Sequence, residues 1–216
     1  LSSLCSLIAR YDFPHNRWPE LHQWLHGAIA SPNVVYNDVS LRIIRSLLMK
    51  DSTAPYLTQQ LDYYHKNVIQ ILHNSLQIST PQQHNSVISM SILRHHAIRA
   101  LDAIYRHDDT VLQADWGLLL QSFIAAYRDY DVDSARAIIY IFCESVSMTP
   151  FEQFLPSLLQ CFVPYILSCD VDIMIREVIC ELLTLCLQQY PNFFMKPQSL
   201  SQQDMSLFVH NSSLLQ

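Results

Sequence analysis

The chain has 216 residues, is 50% hydrophobic, and sets 13 Lys and Arg against 19 acidic residues for a formal net charge of -6. That balance excludes the basic face on which nucleic-acid binding depends. The only two glycines, Gly27 and Gly117, leave nothing from which to build a phosphate-cradling loop or a turn-rich sheet protein.

Apolar residues recur at helical spacing along almost the whole chain. The pattern predicts a helix over 2–11, followed by a turn at Asp12–Arg17. Trp18-Pro19-Glu20 opens a second helix, with proline in the first turn where its missing N–H costs nothing; Leu21, Trp24, Leu25, Ala28 and Ile29 line one side. Ser31-Pro32-Asn33 ends it. A third helix runs to Met49, with Leu41, Ile44, Leu47 and Leu48 inward. After a break at Asp51–Pro55, a fourth carries Leu57, Leu61, Tyr64, Val68, Ile71, Leu72 and Leu76. After a polar break at Ser79–Gln83, a fifth carries Val87, Ile88, Ile92, Leu93, Ala97, Leu101 and Ile104.

A sixth begins near Asp115 and a seventh near Asp133. An eighth spans Phe151–Leu167, with a kink expected at Pro164, which removes a backbone bond and crowds the preceding turn. A ninth runs from Asp172 to Gln189. The polar tail over 191–216 is expected to be poorly ordered, with one weak helix at Gln202–Val209. No stretch alternates like a strand. Long helices on short connections predict antiparallel pairs stacked in a row.

A period supports that reading. Asp131-Val132-Asp133 precedes Arg136 and Ala137-Ile138-Ile139; about 39 residues later Asp170-Val171-Asp172 precedes Arg176 and Val178-Ile179. Asn37-Asp38-Val39 precedes Arg42 and Ile43-Ile44 about two periods earlier, a spacing near that of HEAT repeats. An acid near a helix start satisfies free N–H groups and suits the dipole, and an arginine one turn later can reach a neighbouring repeat's acid. Asp38, Arg42, Asp133, Arg136, Asp172 and Arg176 are therefore candidates for an inter-repeat ladder. The fold expected is all-α: a HEAT-repeat α-solenoid, an armadillo-like superhelix, as one array of four to five repeats over 1–216. Because it starts at Leu1 within an apolar periodic stretch, the sequence reads as part of a longer chain.

The residues offer no catalytic constellation. His22 and His26 share a helix face, but Gln23 stands where a metalloprotease pattern needs glutamate. His95 and His96 are adjacent and point to different faces. Asp129, Asp131 and Asp133 imitate the start of a calcium loop, but Ser134 replaces its glycine and Tyr140 its glutamate. Cys5, Cys143, Cys161, Cys169, Cys180 and Cys186 contain no C-x-x-C pair and read as reduced thiols in apolar helices, as in a reducing compartment. No apolar run reaches the roughly 18 residues of a membrane span. The expectation is a non-enzymatic protein with no cofactor, no metal and no membrane insertion.

One segment is more specific. Ile8-Ala9, Asp12, Pro14, Trp18-Pro19 and Leu21 resemble the early-repeat signature of the importin-beta (karyopherin-beta) superfamily, in which an isoleucine-alanine pair ends one helix and tryptophan-proline-x-leucine opens the next. Ala135–Val146, Phe154-Leu155-Pro156 with Leu158-Leu159, and Arg176-Glu177 with Leu182 and Leu185 are similar to its successive repeat helices. The close match covers about 15 residues and the helix pattern most of the chain, while Asn33–Asp109 matches only in pattern.

The resemblance implies a nuclear transport receptor that shuttles between nucleus and cytoplasm through the nuclear pore. Its partners would be the Ran GTPase in its GTP form, cargo proteins and phenylalanine-glycine nucleoporins. It also implies that the second helix of each pair lines the face that meets Ran and cargo. Trp18 is expected to be a packing anchor. The alternative expectation is a HEAT scaffold or adaptor unrelated to transport.

Overall fold

The computed structural model describes residues 4, 7–8, 11–12, 17–49, 60–77, 89–107, 115–148, 150–168 and 170–195. Most of the expected 2–11 helix, Pro14, and the 202–209 helix lie outside these residues. Among the described residues the chain is all-helical. The principal helices are α1 (Pro19–Ile29), α2 (Val34–Leu48), α3 (Leu61–Gln77), α4 (Met90–Tyr105), α5 (Trp116–Arg128), α6 (Val132–Ser145), α7 (Phe151–Leu167), α8 (Ile173–Gln189) and α9 (Pro191–Met195). The short α9 falls in the stretch expected to be a polar tail.

The chain divides into two compact units, Leu1–Ile141 and Phe142–Gln216, where the sequence pattern reads as one array. In the first unit most of the expected apolar positions are buried, but Trp24 of α1 is 38% and Ile92 of α4 49% exposed, and Leu57, Val87 and Ile88 lie outside the described residues. Leu61, Tyr64, Val68, Ile71 and Leu72 of α3 are buried at three- and four-residue spacing, and each such side chain contributes about 1.5–3 kcal/mol when removed from water. α4 is buried on more than one side, through Leu93, Ala97, Ile98, Ala100, Leu101, Ala103 and Ile104, because it packs against both α2 and α3. Its alanines allow those helices to approach closely.

Polar contacts fix the directions of these helices. The His96 ring is 2.5 Å from Asp38, and the His107 ring donates to the Leu48 carbonyl at 2.6 Å, so pairs 58 and 59 positions apart meet near both ends. α2 and α4 therefore run parallel. His65 near the start of α3 lies 2.7 Å from Asp115, the N-cap of α5. At the other end Arg94 donates both to the Ser75 carbonyl in α3 and to Asp129 just after α5. α3 and α5 are therefore parallel to each other and antiparallel to α4. α1 also packs on α3, where His26 stacks on Tyr63 with ring centroids 3.9 Å apart and Tyr63 donates to the His26 carbonyl.

Helix ends follow from local chemistry. Asn33, Ser89 and Asp172 accept a backbone N–H at the starts of α2, α4 and α8, and Asp131 accepts from Ser134 N–H at the start of α6; each closes a donor the helix leaves open. α5 ends differently. Asp131 N–H donates to the Ala126 carbonyl and Tyr130 N–H to that of Tyr127, the pairing of a Schellman cap, and Tyr130 takes φ 58° at the position where glycine is usual. A Cβ in that region costs about 1–2 kcal/mol. Tyr130 is 92% exposed, so its ring returns no packing. Tyr130→Gly is therefore expected to raise stability by about 1 kcal/mol in urea unfolding, whereas Tyr130→Ala leaves it nearly unchanged.

In the second unit α7 packs on α8, and α8 on α9. Phe142, Phe151, Leu155, Leu158 and Phe162 are fully buried there. α7 continues as one helix through Pro156 and Pro164. Burial pushes the Cys143 and Cys161 thiols up to about 12 and Cys186 to about 11, with Glu181 and Cys186 adding to the shift at Cys143. These thiols remain neutral and act as packing groups.

Candidate functional site

The concentration of chemistry in the first unit lies around the first turns of α4, where Arg94, His95 and His96 follow one another. Successive helix residues turn by about 100°, so three neighbours reach three different places. His96 donates from Nδ1 to Oδ1 of Asp38 in α2; the carboxylate has no proton to give, which fixes the tautomer. The other oxygen of Asp38 takes Arg42 of its own helix, one turn on. His95 Nδ1 lies 3.0 Å from Asp131 and 3.0 Å from the Ser134 hydroxyl, at the start of α6. Arg94 lies 2.7 Å from Asp129.

Burial makes these bonds consequential. The Asp38 side chain is 1% exposed and that of Arg94 is 7% exposed, and an unpaired charge at such depth is costly. Burial lowers the pKa of His96, against the opposing pull of Asp38. At Asp131 burial raises the pKa, but the bonds from His95 and Ser134 outweigh it and leave the carboxyl below its ordinary value.

The ladder candidates are placed as follows. Asp38 reaches α4 through His96, while Arg42 pairs within α2. Asp133 is exposed in the first turn of α6. Arg136 lies over the Tyr140 ring, 5.9 Å from its centroid. Asp172 caps α8, and Arg176 donates to the Ser168 and Val171 carbonyls.

Arg176 thus reaches back to the end of the preceding helix, as Arg94 reaches Ser75 and as buried Asn37 reaches the Ala28, Ile29 and Ser31 carbonyls. Counted from their helix starts, Asn37 and Arg176 are fourth and Arg94 and Arg136 fifth, within one residue of one another. Arg42 lies more than a turn later. Arg94, His95, Asp129 and Asp131 were absent from the ladder set, and aligning helix starts instead of acid-then-arginine patterns brings Arg94 into line to within one residue.

Of the signature residues, Asp12 accepts the Arg17 N–H through its carbonyl at 2.9 Å. Trp18 is the half-buried N-cap residue of α1, Pro19 is its first residue, and Leu21 is buried.

Two other polar groupings stand apart from this seam. His65, Tyr105 and Asp115 form a buried knot, with the Tyr105 hydroxyl 3.4 Å from His65 and 3.5 Å from Asp115; burial and Asp115 raise the Tyr105 pKa. His22 and His26 have ring centroids 4.9 Å apart, and burial, then the His26 charge, lower the His22 pKa. Among the described residues no three His, Cys, Asp or Glu side chains cluster as a metal site, and no helix is long and apolar enough to cross a membrane. Arg94, His95, Asp38, Asp129 and Asp131 are engaged with one another, an arrangement suited to setting the spacing of helices.

The sequence matches no protein-family model, no curated protein and no solved structure.

Proposed function

We propose that the chain is a HEAT-type solenoid segment that binds other proteins, and that it belongs to a nuclear transport receptor shuttling between nucleus and cytoplasm. The observation that carries the solenoid reading is the register between α2 and α4: Asp38 with His96 and Leu48 with His107, at a near-constant offset of 58 and 59 positions. Alternate helices that run parallel and side by side, with antiparallel partners behind them, are what stacked helix pairs produce, whereas an up-down-up-down bundle sets its parallel helices on the diagonal. Such a row offers an extended face for partners and needs neither cofactor nor reactive group.

The transport reading rests further on Trp18-Pro19-x-Leu21, where the tryptophan enters the helix and the leucine enters the core. Its expected partners are Ran in the GTP form, cargo proteins and phenylalanine-glycine nucleoporins. Ran-GTP and cargo would compete for the face formed by the second helices, so each lowers the affinity for the other. The test is retention of the natural protein containing this sequence on immobilised Ran. Capture by GTP-locked Ran and not by the GDP form is the expected result. Equal binding to both forms, or to neither, would overturn the transport reading and leave a general scaffold.

A further inference from the structure

We infer that His95 and His96, with Arg94, form a proton-released clamp that ties α2, α4 and the start of α6 together while His96 is neutral and loosens when His96 takes up a proton. The geometry carries this. Three consecutive side chains of α4 make bonds to α2 through Asp38, to the start of α6 through Asp131 and Ser134, and to the ends of α3 and α5 through Ser75 and Asp129. Two of the three are histidines, whose ordinary titration range spans the mildly acidic region.

The charges around His96 explain why a proton there weakens the fold. From α2 it faces Asp38 and Arg42; on its own helix its neighbour is His95, with ring centroids 5.3 Å apart. Farther along the same seam Arg45 of α2 faces Arg99 and Asp102 of α4. Asp38 is already matched by Arg42. A proton on His96 therefore adds a second cation to a carboxylate that has one, at a site largely removed from water, beside an imidazole bonded to Asp131. The neutral ring donates to Asp38 without that surplus charge.

The direction follows by linkage. Burial holds the His96 pKa below its ordinary value in the folded chain, so the unfolded chain binds the proton at higher pH. Stability from this group is fully present above the ordinary histidine pKa and is lost as pH falls through the window below it, by at most about tenfold in the folding constant per pH unit for one such group. His22 titrates in the same direction, for its own burial, and must be separated from it.

The experiment is urea unfolding of the protein between pH 7.5 and 5.0, in wild type, His96→Asn and His22→Gln. Asparagine retains an N–H donor near the position of Nδ1 and cannot titrate. His96→Asn is expected to remove a severalfold loss of folding constant that persists in His22→Gln. Nitrogen chemical shifts of the wild-type imidazoles supply a readout that needs no variant: His96 should hold its proton on Nδ1 at pH 7.5 and gain the second only below the titration of an unfolded-chain histidine. An unchanged acid slope in His96→Asn would overturn the proposal, as would a His96 that is doubly protonated at pH 7.

Discussion

Arg94→Ala is expected to destabilise the first unit by about 2–3 kcal/mol, a large share of the roughly 5–15 kcal/mol that holds a typical domain folded. The arginine side chain is 7% exposed and its partner Asp129 is 25% exposed. Removing one member of a buried pair costs about 3–5 kcal/mol when the other is left charged and unpaired; the partial exposure of Asp129 and its remaining partner Arg128, 3.6 Å away, return some of that. The Ser75 carbonyl loses a donor as well. Asp129→Asn, which keeps an acceptor, should cost about 1 kcal/mol. A double-mutant cycle on Arg94 and Asp129 in urea should return a coupling above about 1 kcal/mol. An Arg94→Ala protein within about 0.5 kcal/mol of wild type would show that water compensates the seam and that Arg94 does not set the spacing of the helices it joins.

Arg94 also marks where sequence reasoning succeeds and where it stops. Helix positions were legible because burial alone writes them: Leu61, Tyr64, Val68, Ile71 and Leu72 fall on one stripe whatever they pack against. The break at Ser31-Pro32-Asn33 was legible because proline and the capping Asn33 act within one turn. Which polar side chains meet across helices depends on the offset between elements tens of residues apart, and no local pattern encodes 58 positions. Asp129 and Asp131 therefore looked like a failed calcium loop when read locally, although they are the partners of Arg94 and His95. His95-His96 was correctly expected to point to two faces, but those faces acquire meaning only once α2 and α6 are in place. The positive φ at Tyr130 was hidden for a different reason: the Schellman cap usually announces itself with glycine, and here a tyrosine occupies the position.

The second large effect is expected in the other unit, from Phe142→Ala. Phe142 is fully buried; its ring meets Phe162 edge-on at 6.0 Å and lies stacked with Phe154 at 5.7 Å, while Phe154 in turn meets Phe151 at 6.0 Å. Truncation removes the transfer free energy of the ring and leaves a space that α7 can fill only by shifting, a combination that costs about 3–5 kcal/mol. The lost ring pairs add a further contribution beyond area. Phe142→Leu retains most of the volume and should cost closer to 1 kcal/mol. Because Phe142 belongs to the second compact unit and Arg94 to the first, the pair of variants also tests whether the units unfold together. One cooperative transition shifted by either substitution would mean that stability is shared along the chain. If Phe142→Ala instead splits the urea transition in two, with the second unit melting first, the units have separate stabilities. Loss of less than about 1 kcal/mol would show that the aromatic cluster is not the core of that unit.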